Sequence, residues 1–184
     1  MNTTIIIIVV VIVLVILGGI LAPIFAGRKR SERFHDQYGP EYDRTVKSLG
    51  SDKKAQTEMD DRRKHVGTLN IRPLSDVQRQ RYLADWKAVQ ANFVDQPGQA
   101  TAQADHLIME VMQLRDYPIS DFEQRAADVS IQYPTLVGNY RAAREIALRN
   151  EQHHAGTEDL RQAMIHYRDL FDELLKAETV DPEK

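Results

Sequence analysis

The chain has no cysteine, which removes disulfide bonds, thiolate catalysis and cysteine-ligated metal together. Glycines in the body stand alone at Gly39, Gly50, Gly67, Gly98, Gly138 and Gly156, so neither a phosphate-cradling loop nor a dinucleotide fingerprint is present. No G-x-S-x-G turn occurs. A net charge of −3 lacks the positive excess that nucleic-acid binding requires, and no nucleic acid is expected as a partner. Clear polar–apolar alternation is also missing, so no strand has a signature.

Against these absences stands one long apolar run. All 24 basic and 27 acidic side chains lie beyond Ala26, and Ile5 to Ala26 carries no charge over 22 residues. As a helix that segment covers about 33 Å, enough to cross a hydrocarbon core. A cleaved secretory signal would have a basic start, a shorter apolar stretch and small residues spaced A-x-A before the cut. Here only the terminal amine is positive before Ile5, and Ile24 stands two places before Ala26. The segment is therefore expected to stay as an anchor (residues 1–27).

The flanks are unequal: MNTT on one side, and Arg28, Lys29, Arg30 and Arg33 on the other. Basic residues beside a span remain cytoplasmic, so the N-terminus is expected outside and the body inside. The same residues suit the bilayer's anionic lipid headgroups. Gly18, Ala22 and Ala26 recur every fourth residue and offer a small-residue face to a second span, which permits a homodimer; Pro23 interrupts the same turn.

Beyond the anchor the expected class is all-α, a bundle of about five helices over residues 71–178, preceded by a basic juxtamembrane segment and polar helical spacer (28–70) and followed by a disordered tail (179–184). Ser31 to Gln37 continues as a charged helix to the break at Tyr38-Gly39-Pro40. Pro40 then opens a short helix that Gly50 stops. Ser51 to His65 has almost no apolar face and reads as solvated. Ser75 caps a helix with the stripe Tyr82, Trp86, Val89, Phe93. The next helix gathers Ala104, Leu107, Ile108, Val111 and Leu114. Ser120 and Glu123 suggest a capping box before Phe122, Ala126, Val129 and Tyr133. Val137, Tyr140, Ala147 and Leu148 form the expected inner face of another helix. After Gly156, Thr157 caps the last, whose stripe Leu160, Met164, Tyr167, Phe171, Leu174, Leu175 is the strongest in the chain.

The segments YGPEYDR (38–44), RPLSDVQRQRYLADWKAVQANFVDQP (72–97), YPISDFEQRAADVSIQYP (117–134) and TEDLRQAMIHYRDLFDELL (157–175) resemble a family of uncharacterised bacterial proteins with one N-terminal hydrophobic segment. The resemblance covers nearly all of the body. It implies architecture only and brings no activity, cofactor or catalytic residue with it; the expected location, a bacterial cell membrane, rests on the span and its basic flank.

Candidate chemistry is thin. Glu32-x-x-His35 and Glu151-x-x-His154 have a spacing that puts a carboxylate and an imidazole on one helix face, as in di-iron bundles, with Glu110 as the one inward glutamate available to bridge. His106 and Glu110 form a further pair one turn apart, which more commonly is a surface contact. Asp85 and Arg125 are placed where buried ion pairs could form. No catalytic residue, metal site or cofactor is assigned. The expected function is a membrane-anchored, non-enzymatic helical module for an unknown protein partner or a second copy. The alternative is an anchored metal- or ligand-binding bundle built on His106, Glu110, Glu151 and His154.

Overall fold

Local chemistry sets the helix boundaries. The computed structural model describes residues 29–118 and 120–176, and these form eight helices and no strand. The expected anchor with its Gly18, Ala22, Ala26 face, Arg28 and the tail 179–184 lie outside the described residues. Among those described, no helix is long and apolar enough to cross a membrane.

The first helix, α1, runs over 29–38 and ends at Gly39, whose φ of 49° turns the chain; α2 is Pro40–Leu49. Proline suits its first turn because that N–H has no helical partner, and Gly50 ends it at φ 66°, a left-handed conformation that favours glycine. Ser51 accepts from the Lys54 N–H and starts α3, Asp52–Thr68. Ser75 and Gln78 form a reciprocal capping box for α4, Asp76–Asn92. Pro97 opens α5, Pro97–Leu114, and α6 is Phe122–Gln132. The last two are α7, Val137–Glu151, and α8, Thr157–Lys176.

The start of α6 differs from expectation. Asp121, not Ser120, is the cap: its carboxylate accepts from the Gln124 N–H at 2.9 Å. The helix begins one residue later than a Ser120 cap would require, which frees Glu123 to pair across to α7.

Helices α4 to α8 enclose the main core. The contact of α7 with α8 is the most extensive, α5 packs on α8, and α4 covers α5. Tyr82, Trp86 and Val89 are buried from α4, Leu107, Ile108 and Val111 from α5, and the whole α8 stripe is buried. Trp86 stacks on Phe171 with ring centroids 4.6 Å apart. Gly98 lets α5 approach α7 closely, since a Cβ there would meet the Asn150 side chain at 2.9 Å. Leu148, expected inward, is 42% exposed, because the buried face of α7 runs through Val137, Tyr140, Ala143, Ile146 and Ala147 and leaves it one step around the helix.

The expected solvated spacer is a second correction. Phe34 and Tyr38 of α1, Tyr42 of α2, and Ala55 and Met59 of α3 form their own apolar cluster. Ile131 of α6 packs against both this cluster and the main core. The described residues thus form eight helices, five of them (α4 to α8) within 71–178 and three more, α1 to α3, docked on these as a packed layer where a solvated spacer was expected. The buried face of α3 is narrow, only Ala55, Gln56, Met59 and Val66, and is hidden in the sequence among DKK, DD and RRK.

Phe171→Ala should destabilise the protein by about 3–5 kcal/mol, because a fully buried ring leaves a cavity and unstacks Trp86. Denaturant unfolding checks this; a loss under about 1 kcal/mol would contradict the packing described.

Candidate functional site

Open grooves mark the surface of the described residues, and three of them differ in charge. The first lies between α1 and α3, with a volume of about 470 Å³, lined by Lys29, Arg30, Arg33, Phe34, Gln37, Asp60 and Arg63. Four basic side chains there face a single carboxylate. Asp60 takes Arg30 on one oxygen at 2.8 Å and Arg63 on the other at 2.9 Å, so the two guanidiniums are held side by side. Arg30 also lies over the Phe34 ring, 5.7 Å from its centroid. Lys29 and Arg33 are exposed and make no ion pair among the described residues.

The second groove, about 410 Å³, lies on the other side of α1, against α2. Glu32, Asp36, Asp43 and Asp52 line it, with His35 and Lys47. His35 meets Asp43 at 3.0 Å, and Asp52 accepts from Ser31 and Tyr42. Helix α1 therefore separates a basic groove from an acidic one. Its sequence encodes this directly: positions 29, 30, 33 and 37 share one face, while 32 and 36 share another.

The third groove runs between α4 and α5, with a volume of about 640 Å³. His106 and Glu110 sit on its wall, joined at 2.9 Å on the surface. Glu151, at the end of α7, lies 3.9 Å from Arg144, and His154 is exposed in the following loop. Among the described residues, no group of three or more His, Asp or Glu side chains is arranged to hold a metal. Asp85 pairs with Arg81 at 3.6 Å on the surface, not in the core. Arg125 donates to the Ser120 carbonyl and has no carboxylate partner among the described residues, so neither expected buried ion pair forms.

The charged groups that do enter the interior are others. Glu41 is almost fully buried and one of its oxygens faces Arg62 at 3.1 Å, Arg141 at 3.3 Å and Arg44 at 3.9 Å. Arg62 continues to Glu58, and both Arg141 and Arg44 continue to Glu123. Three arginines and three glutamates thus form a neutral network across α2, α3, α6 and α7. Arg115, fully buried at the end of α5, is held without a carboxylate: its Nε donates to the Arg72 carbonyl and its Nη1 to the Leu174 carbonyl and the Tyr133 hydroxyl, while Nη2 has no partner among the described residues. The Leu174 carbonyl lies in the last turn of α8, where the helix dipole favours a cation. Asp105 reaches Arg144 of α7 at 3.1 Å.

Sequence reasoning passed over these residues although a signal existed for two. Arg115 follows Val111 by four and Ile108 by seven, and Asp105 precedes Ile108 by three, so both share the buried face of α5. Glu41 carries no such mark, because its burial depends on α7, a hundred residues away.

Buried phenols give no base. Burial pushes Tyr167 well above the usual phenol range, with Asp105 adding to it, and burial raises Tyr117 and Tyr140 likewise. Each stays a neutral hydroxyl. The chain matches no family model, no curated protein and no solved structure.

Asp128 of α6 generates a pH prediction. Burial raises its pKa above 3.8, against the lowering effects of the Gln124 hydrogen bond and of His65, which lies 3.6 Å away on α3. The fold favours the protonated form, so that contribution is fully present below the unfolded pKa and is lost as pH rises through the folded one. Asp128→Asn should therefore be more stable than the parent at pH 7, with the difference shrinking toward pH 4. Thermal unfolding across that range checks it; a variant less stable at pH 7 contradicts it.

Proposed function

We propose that the protein is a membrane-tethered, non-enzymatic helical interaction module, with Ile5 to Ala26 as the tether and the helical body on the cytoplasmic side. The observation that carries this reading is the position of α1. Gly27 and Arg28 alone separate the apolar run from the described start of α1, and α1 buries Phe34 and Tyr38 in the body. Only two residues of sequence therefore lie between the apolar run and a helix that packs in the body. The basic flank supports the orientation, since Lys29, Arg30 and Arg33 lie within seven residues of Ala26 and remain exposed.

The dispersed chemistry supports a binding role over a catalytic one. Arg115 and the Glu41 network are engaged in holding helices together. Two apolar side chains stand out on α4 and just after it, Val77 at 81% and Val94 at 83% exposure. They supply apolar contact points for a protein partner or a second copy.

Full-length protein carrying a C-terminal reporter tests the topology. The expected result is an uncleaved chain in the membrane fraction with the reporter active only in the cytoplasm. A processed chain, an external reporter or a chain that leaves the membrane fraction at low salt overturns the reading.

A further inference from the structure

We infer that the α1–α3 groove is a docking site for the phosphate of anionic phospholipid headgroups, and that it sets which face of the body lies on the membrane. The inference rests on the tethered reading above and adds to it a site, a ligand chemistry and an orientation. Basic residues near a span need only be positive to fix topology. Here they are also placed by the fold.

Asp60 organises the groove. Its two oxygens hold Arg30 and Arg63 at 2.8 and 2.9 Å, on helices otherwise separate in sequence, so the guanidinium of Arg63 is brought to the juxtamembrane basic cluster. One carboxylate cannot neutralise four cations, and Lys29 and Arg33 remain without an ion pair among the described residues. An anion of phosphate type meets guanidiniums through paired N–H donors, and a lysine adds a point charge. The site lies at the chain position nearest the apolar segment, where headgroup phosphates are concentrated.

The opposite side of α1 supplies the second, independent observation. Glu32, Asp36, Asp43 and Asp52 line the groove there, and an anionic surface repels them. The two grooves together form a dipole across α1. A negative leaflet draws the α3 side down and turns the α2 side away, and so presents the rest of the bundle to partners in one orientation.

The chain has no cysteine, so single labels can be introduced by Gln37→Cys in the basic groove and Lys47→Cys in the acidic one. Each labelled full-length protein is placed in nanodiscs of phosphatidylcholine, or of phosphatidylcholine mixed with phosphatidylglycerol, containing a lipid with a quencher on its headgroup. The expected result is several-fold stronger quenching at position 37 than at 47 in the anionic discs. That excess should disappear in phosphatidylcholine alone, in high salt, and in Arg33→Gln/Arg63→Gln protein whose helical circular dichroism and melting match the parent. Equal quenching at the two positions, or an excess indifferent to phosphatidylglycerol, overturns the inference. Inorganic phosphate that abolishes the excess when chloride of equal ionic strength does not would assign the groove to free phosphate and overturn the lipid claim. Protein that fails to co-purify with discs of either composition would instead refute the tether itself.

Discussion

Glu41 is a carboxylate removed from water at the point where four helices meet, and the arrangement of the whole body depends on its being neutralised there. A buried charge without a partner costs several kcal/mol, so α2, which carries Glu41, is stable against the bundle only when Arg62 and Arg141 both reach it. Arg62 belongs to α3 and Arg141 to α7. The carboxylate therefore ties the N-terminal layer to the main bundle with a directional contact, beside the apolar packing that Val66 of α3 and Ile131 of α6 provide between the two. His65 and Asp128 add a second polar contact between α3 and α6.

That tie decides how α1 to α3 sit on the bundle. With α1 to α3 free, the bundle would swing on a polar leash of some forty residues. Docked, α1 is one wall of the body, and its two charged faces become surfaces of a rigid object with a basic and an acidic side. Arg115 performs the corresponding task at the far end of the core, drawing the loop before α4, the end of α8 and the α6–α7 junction to one guanidinium.

Much of the main bundle was legible because its signals are local and redundant. The stripes of α4, α5 and α8 repeat every three or four residues, and Ser75 by its side-chain cap and Pro97 by its ring mark boundaries locally. Where local signals were weak, reading failed. In α3 a face only a few residues wide is flanked by charge, and its apolar partners come from α1 and α2, so periodicity within the helix reported a solvated segment. The groove was half legible: Lys29, Arg30 and Arg33 are visible as a cluster, whereas Arg63 joins them only through tertiary contact at Asp60. The spacing of Glu123 from Ser120 fits a cap, yet Arg44 and Arg141 compete for the same carboxylate across space.

Buried ionic contact fastens the α1–α3 layer to the bundle, and a double-mutant cycle on Glu41→Gln and Arg141→Met tests this. Denaturant unfolding of the parent, the two single variants and the double variant yields the coupling. The account predicts that each single change costs about 3–5 kcal/mol and that the double variant loses clearly less than their sum, with a coupling on the order of 1–3 kcal/mol. Strictly additive losses would contradict it, because they would mean that the α2 carboxylate and the α7 guanidinium do not depend on each other.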